Sequence, residues 1–262
     1  MWSYEHEAFT VHQLPALNDN YIYLIEDHDS EMLAVVDPAD AAVVRKACMQ
    51  LGKPLSHILN THHHWDHTDG NKPLKTIYTC QVVGSAVDRE RIPEIDVEVS
   101  ESSRLELGTL PVQVLFVPGH TRGHIAYLIE DALFCGDTLF GGGCGRLFEG
   151  TAEQMWNSLS RLAQLPDETS VYCAHEYTLP NLRFANSVDS DNPYLEKRIS
   201  NDTRQRMQKL PTIPSTIEME KRTNPFLRPL DQNFCDIYAK AHDIENDRLV
   251  VFTHLRKNKD NI

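Results

Sequence analysis

The sequence predicts an α/β domain rich in antiparallel or mixed strands, followed by a smaller helical appendage. Two observations carry this. Across the first two thirds, short apolar, β-branched or aromatic runs of strand length alternate with turns and occasional helical patterns. From Pro180 onward no convincing strand remains, and polar helical patterns dominate, separated by Pro193, Pro211, Pro214, Pro225 and Pro229. The boundary falls near residue 175, which divides the chain into segments 1–175 and 176–262.

Residues 21–26 and 32–36 flank a polar Asp27-His28-Asp29-Ser30 turn and read as a hairpin. After Asp37-Pro38, residues 41–51 place apolar side chains at helical spacing and stop at Gly52, with Pro54 behind it. Residues 55–60 return to a strand, and further strands are expected at 82–84, 104–107, 112–117, 125–130 and 132–135. A helix follows over 151–165, where Thr151 and Gln154 have the spacing of a capping box, and then a strand at 170–173. The chain shows no internal repeat and no low-complexity tract.

Composition narrows the function. The 262 residues carry 25 Lys and Arg against 38 Asp and Glu, a net charge of −13. A protein that neutralises phosphates needs a basic surface, so nucleic acid is excluded as a partner. No run approaches the roughly 18 to 20 apolar residues of a membrane span, and residues 1–10 lack the apolar core of a secretory leader. The six cysteines (Cys48, Cys80, Cys135, Cys144, Cys173 and Cys235) form no C-x-x-C pair, so reduced thiols in a cytoplasmic protein are expected.

Histidine placement carries the chemistry. His62, His63, His64 and His67 lie within Thr61-His62-His63-His64-Trp65-Asp66-His67, directly after the apolar Ile58-Leu59-Asn60. Residues two apart in an extended chain point the same way, so His62 and His64 can offer two imidazoles to one metal. Asp66 and His67 lie just beyond, where the chain turns toward a helix, and can aim at a second ion. Imidazole and carboxylate without thiolate suit a hydrolytic or redox-active divalent metal and not a Cys-rich structural zinc site. Three more polar residues end strand-like runs at small-residue turns: His120 after Pro118-Gly119, Asp137 after Gly136, and His175 after Ala174. Any one of them alone reads as a cap or a satisfied polar group; together with the first motif they read as ligands.

The pattern His62-x-His64-x-Asp66-His67, then Pro118-Gly119-His120-Thr121, Gly136-Asp137 and His175, resembles the metallo-β-lactamase superfamily. The likeness is closer to its glyoxalase II, or hydroxyacylglutathione hydrolase, family and covers nearly the whole chain. It rests on residues 133–140 (Leu-Phe-Cys-Gly-Asp-Thr-Leu-Phe), Gly142-Gly143-Cys144-Gly145-Arg146 and Cys173-Ala174-His175-Glu176-Tyr177-Thr178. The resemblance implies an αββα sandwich with a helical C-terminal domain. It assigns His62, His64 and His120 to one metal and Asp66, His67 and His175 to the other, with Asp137 bridging. His63, the intervening residue, should point away. Trp65 departs from the family, where another His or a small residue is common.

Two divalent ions that share a water lower its pKa from about 16 toward 7 and supply a hydroxide nucleophile. The resemblance implies attack on a thioester, S-D-lactoylglutathione, with Asp66 orienting the nucleophile and D-lactate and glutathione as products. A thiolate, with thiol pKa values of about 8 to 9, leaves with little acid assistance, so no Ser or Cys nucleophile is required. Cys144 then reads as a packing residue. Arg146, Arg256 and Lys259 match family positions that bind the anionic tripeptide, and Tyr177 matches a tyrosine that hydrogen-bonds its backbone. Phe148 stands where some members have Tyr. The ions are expected to be zinc, with iron or manganese as alternatives, in a monomer with a small-molecule substrate. The rival within the superfamily is an iron-dependent glutathione persulfide dioxygenase, against which His67, His175 and the basic tail weigh. A β-lactam or phosphodiester hydrolase and a metal-stabilised interaction module are the more distant alternatives.

Overall fold

The structure is a computed structural model that describes residues 1–101 and 103–261. It divides into two compact units. One comprises Met1–Phe116 with Gly123–Gly136, the other Val117–Arg122 with Asp137–Ile262.

The first unit contains a seven-stranded sheet in sequential order, β1 (Trp2–Glu5), β2 (Phe9–Ala16), β3 (Asn20–Asp27), β4 (Leu33–Val36), β5 (His57–Leu59), β6 (Gln81–Ser85) and β7 (Val97–Val99). Strands β1 to β4 are antiparallel; β4 to β7 run parallel. Parallel neighbours need crossovers, supplied here by α1 (Ala41–Leu51) between β4 and β5, and by α2 (Trp65–Thr68) with α3 (Asn71–Tyr78) between β5 and β6. Asp40 caps α1 by accepting from Ala42 N and Val43 N, and Gly52 closes it in the left-handed region at φ 70°. Its buried stripe of Val44, Ala47 and Cys48 packs on Leu24, Val35, Ile58 and Val82 of the sheet.

A second, antiparallel set in the same unit runs β8 (Arg104–Leu107), β9 (Leu110–Phe116), β10 (Ile125–Ile129) and β11 (Ala132–Gly136). The two sheets face each other: Tyr127 hydroxyl donates to Asn60 O at 3.0 Å, and the Tyr23 and Phe134 rings meet edge-on at 5.8 Å. Asp27 ties them at one end, accepting from Thr109 N at 2.7 Å and from Ser30 Oγ at 2.5 Å. Burial pushes its carboxyl up, but these hydrogen bonds outweigh it and hold the pKa at about 2, so the tie stays ionised through neutral pH.

The second unit contains β12 (Leu139–Phe140) paired with β13 (Gly143–Cys144), then α4 (Ala152–Leu162) and β14 (Ser170–Cys173). The Thr151–Gln154 capping box forms in both directions at the start of α4. Five helices follow: α5 (Thr178–Val188), α6 (Pro193–Met207), α7 (Ile217–Thr223), α8 (Gln232–His242) and α9 (Arg248–Asp260). One expectation needs correction. A strand does occur after residue 180: β15 (Ser215–Thr216) pairs with β14. Two residues are too short to show a period of two, so no pattern announces it.

Candidate metal centre and substrate site

The loop after β5 carries the first group of ligands. His62 Nε2 lies 3.0 Å from His64 Nδ1, which is the same-side projection expected of residues two apart. The chain then enters α2, whose first turn presents Asp66 and whose last presents His67. His67 Nε2 stands 3.6 Å from Asp66 Oδ2, while Asn20 Nδ2 holds that same carboxylate oxygen at 3.3 Å. The other face of His67 is fixed by Asp37: Nδ1 lies 3.0 Å from its Oδ2. Asp37 also accepts from Thr61 N at 2.8 Å and Thr61 Oγ1 at 2.7 Å. One buried carboxylate therefore orients both the imidazole and the loop that carries its neighbours. Asp37, His62 and His67 place ligand atoms within 4.8 Å of one another. As expected, His63 turns elsewhere, to Asp88 at 3.2 Å and Arg91 at 3.2 Å.

The second unit carries the remaining group. Asp137 offers one oxygen to each of two histidines: Oδ2 lies 3.4 Å from His120 Nε2 and Oδ1 lies 3.3 Å from His175 Nε2. Arg146 contributes its backbone here, since its carbonyl faces His120 Nδ1 at 2.9 Å. With Nδ1 so engaged, Nε2 is the ring nitrogen that can offer a lone pair to a cation. His175 is stacked on Tyr177, with ring centroids 4.8 Å apart and planes at 2°.

The donor set fits a divalent ion. Two ligands about 2.1 Å from one tetrahedral ion stand roughly 3.4 Å apart, close to the separations of 3.0 to 3.6 Å seen within the two groups. The donors are imidazole and carboxylate, and among the described residues none of the six cysteines joins a group of possible ligands. Burial pushes the Cys173 thiol up to about 12 and raises that of Cys144, so neither is a nucleophile at neutral pH.

The four expected substrate residues lie in the second unit. The Arg146 side chain is exposed on its loop and Tyr177 is half-buried. Arg256 is only 4% exposed; its Nη1 donates to Cys144 O at 3.0 Å, its Nη2 to Asp260 at 2.8 Å, and it lies over the Phe226 ring. Lys259 donates to Pro180 O at 3.3 Å. Burial, together with the like charges of Arg256, Arg183 and Arg146, lowers its pKa. Trp65 and Phe148 are 63% and 62% exposed. Three residues escaped the sequence reading: Asp37, Asn20 and His124, whose buried ring stacks on His62 at 4.6 Å. Only Asp37 left a signal, as a carboxylate ending the strand that runs parallel beside β5.

Two family models match consecutive stretches, the metallo-β-lactamase superfamily over residues 18–175 and the hydroxyacylglutathione hydrolase C-terminus over residues 176–262. A hydroxyacylglutathione hydrolase from Synechococcus sp. strain JA-2-3B'a(2-13) is 57% identical, over 95% of this chain and 98% of its own. Among solved structures, ETHE1 from Myxococcus xanthus is 28% identical with TM-score 0.67, covering 95% of this chain and 90% of that one. TTHA1623, solved in a di-iron-bound form, is 26% identical with TM-score 0.59, covering 82% and 98%. The chain thus has the metallo-β-lactamase fold, an αββα sandwich with a helical C-terminal region, and is a divalent-metal-binding hydrolase. It belongs to the hydroxyacylglutathione hydrolase family.

Proposed function

We propose that the protein hydrolyses S-2-hydroxyacylglutathione thioesters, S-D-lactoylglutathione above all, to D-lactate and glutathione in methylglyoxal detoxification. The observation that carries this is the Asp137 carboxylate set between two histidines, one oxygen to each, in a chain of this family. In this reading His62, His64 and His120 would hold one ion and Asp66, His67 and His175 the other, with Asp137 as the ligand they would share. Zinc is the ion we assign, with iron and manganese as the alternatives that imidazole and carboxylate donors also suit. Bound there, the ions supply Lewis acidity and a water acidified toward neutral pH.

The chain's own residues do the rest. Asp66, steadied by Asn20, orients the attacking water. The water gives up one proton to solvent, its oxygen bonds to the thioester carbon, the C–S bond breaks, the sulfur leaves as glutathione thiolate, which needs no acid from the protein, and the lactic acid formed releases its own proton to solvent. Arg146, Arg256 and Lys259 meet the two carboxylates of the tripeptide, and Tyr177 hydrogen-bonds its backbone. Residues 1–175 carry the chemistry, and 176–262, together with Arg146, the grip on the tripeptide. We place the protein, as a monomer, in the cytoplasm, where buried thiols stay reduced.

Metal-loaded protein mixed with S-D-lactoylglutathione should lose the thioester absorbance and release one free thiol per turnover. Oxygen uptake with glutathione persulfide, with the thioester left intact, would replace this reading with the dioxygenase.

A further inference from the structure

The segment between Asp137 and Arg146 is held by side chains far away in sequence. Asn181 of α5 donates to Gly141 O at 3.1 Å. Asn224, the residue that ends α7, donates to Phe140 O at 3.2 Å and to Gly143 O at 2.8 Å. Glu220 of α7 accepts from Gly142 N at 2.9 Å. Gly142 sits at φ +64°, and a Cβ there would come within 2.9 Å of Leu182, so the turn is closed to larger residues.

Glu220 is fully buried, and both of its oxygens are saturated. Oε1 accepts from Arg198 Nη2 at 2.7 Å and Ser215 Oγ at 2.5 Å; Oε2 accepts from Gly142 N and from Asn224 Nδ2, each at 2.9 Å. Four donors converge on one side chain. A glutamine could accept on one atom only and would turn an N–H against donors on the other, so the site demands a carboxylate. A buried charge is costly unless it is met in this way. The ends of the segment give the arrangement its consequence: Asp137 stands between His120 and His175, and the Arg146 carbonyl faces His120 Nδ1.

We infer that Glu220 and Asn224 are positioning residues, which fix the 140–143 turn and through it the metal-facing orientation of Asp137 and His120. The inference rests on the reading above only for what those ligands hold. The helical region then acts on the metal ligands as well as on the tripeptide.

The test is Asn224→Ala in the full chain, followed by hydrogen exchange over residues 140–146, zinc affinity by chelator competition and thioester turnover. Loss of a residue that supports a metal ligand typically weakens metal binding 10- to 100-fold. The expected result is a folded protein in which these amides exchange at least about ten-fold faster, zinc affinity drops by about that factor, and kcat falls more than KM rises. Phe234→Ala in α8 removes apolar packing and none of these bonds; it should lower the urea midpoint while leaving exchange and zinc affinity as in the wild type. Unchanged exchange or zinc affinity in folded Asn224→Ala would overturn the inference, as would equal zinc loss in Phe234→Ala. If Asn224→Ala does not fold, Asn181→Ala removes one bond from the same turn and gives the same readouts. A wild type without thioester turnover would sink the functional reading but leave exchange and zinc affinity to decide this one.

Discussion

Asp137→Asn should leave a folded protein with far-UV circular dichroism like the wild type and almost no turnover. The substitution keeps the shape of the side chain but replaces one of two oxygens, each within 3.4 Å of a histidine Nε2, by a donor. An N–H cannot ligate a cation, so the bridging role proposed for Asp137 is lost. Metal-ion catalysis contributes several kcal/mol of transition-state stabilisation. At about 1.4 kcal/mol per factor of ten, kcat/KM should fall by at least about 10³-fold. Elemental analysis of the same sample should give less metal per chain than the wild type. A variant that retains the full metal complement and turns over within ten-fold of the wild type would remove Asp137 from the centre.

Asp37→Asn should have the second largest effect, although Asp37 is not among the seven assigned ligands. Its Oδ2 faces His67 Nδ1, so that nitrogen donates and Nε2 keeps the lone pair that a metal requires. An asparagine amide turned the same way would donate to Nδ1 instead and move the ring proton to Nε2. Thr61, whose amide and hydroxyl both donate to Asp37, would lose part of its support as well. Metal affinity is expected to fall about 10- to 100-fold. Stability should fall by about 1–3 kcal/mol, the cost of leaving buried donors poorly met. Chelator competition and urea denaturation measure the two separately; wild-type metal affinity would show that the His67 ring is fixed by something else.

These residues also show what the sequence exposes and what it hides. The first ligand group is legible because it is local: a strand end with period two, then a turn into a helix, puts His62, His64, Asp66 and His67 within one short segment. Helix α1 and the Thr151 capping box are legible for the same reason, since a cap and its partner lie within a turn of each other. Asp37 shows in the sequence only as a carboxylate ending an apolar run, because its role depends on register. Val36 pairs with Leu59 across parallel strands, which sets Asp37 beside Thr61 although 24 residues separate them. Glu220 and Asn224 are more distant still, reaching back some 80 residues to the 140–143 turn. Strands β1 and β2 escaped because polar side chains interrupt the apolar pattern: His12 and Gln13 are buried within β2, matched by Ser3 and Tyr4 of β1. The basic tail was legible as charge but not as geometry. Arg256 is buried and bonded to Cys144 O and Asp260, a placement that no count of charges conveys.

The most direct test of a two-ion hydrolase is a metal titration of the metal-free wild-type chain, with turnover of S-D-lactoylglutathione followed at each addition of zinc. Binding should saturate at two equivalents per chain, with most of the activity appearing as the second equivalent binds. Saturation of both binding and activity at a single equivalent would contradict the account.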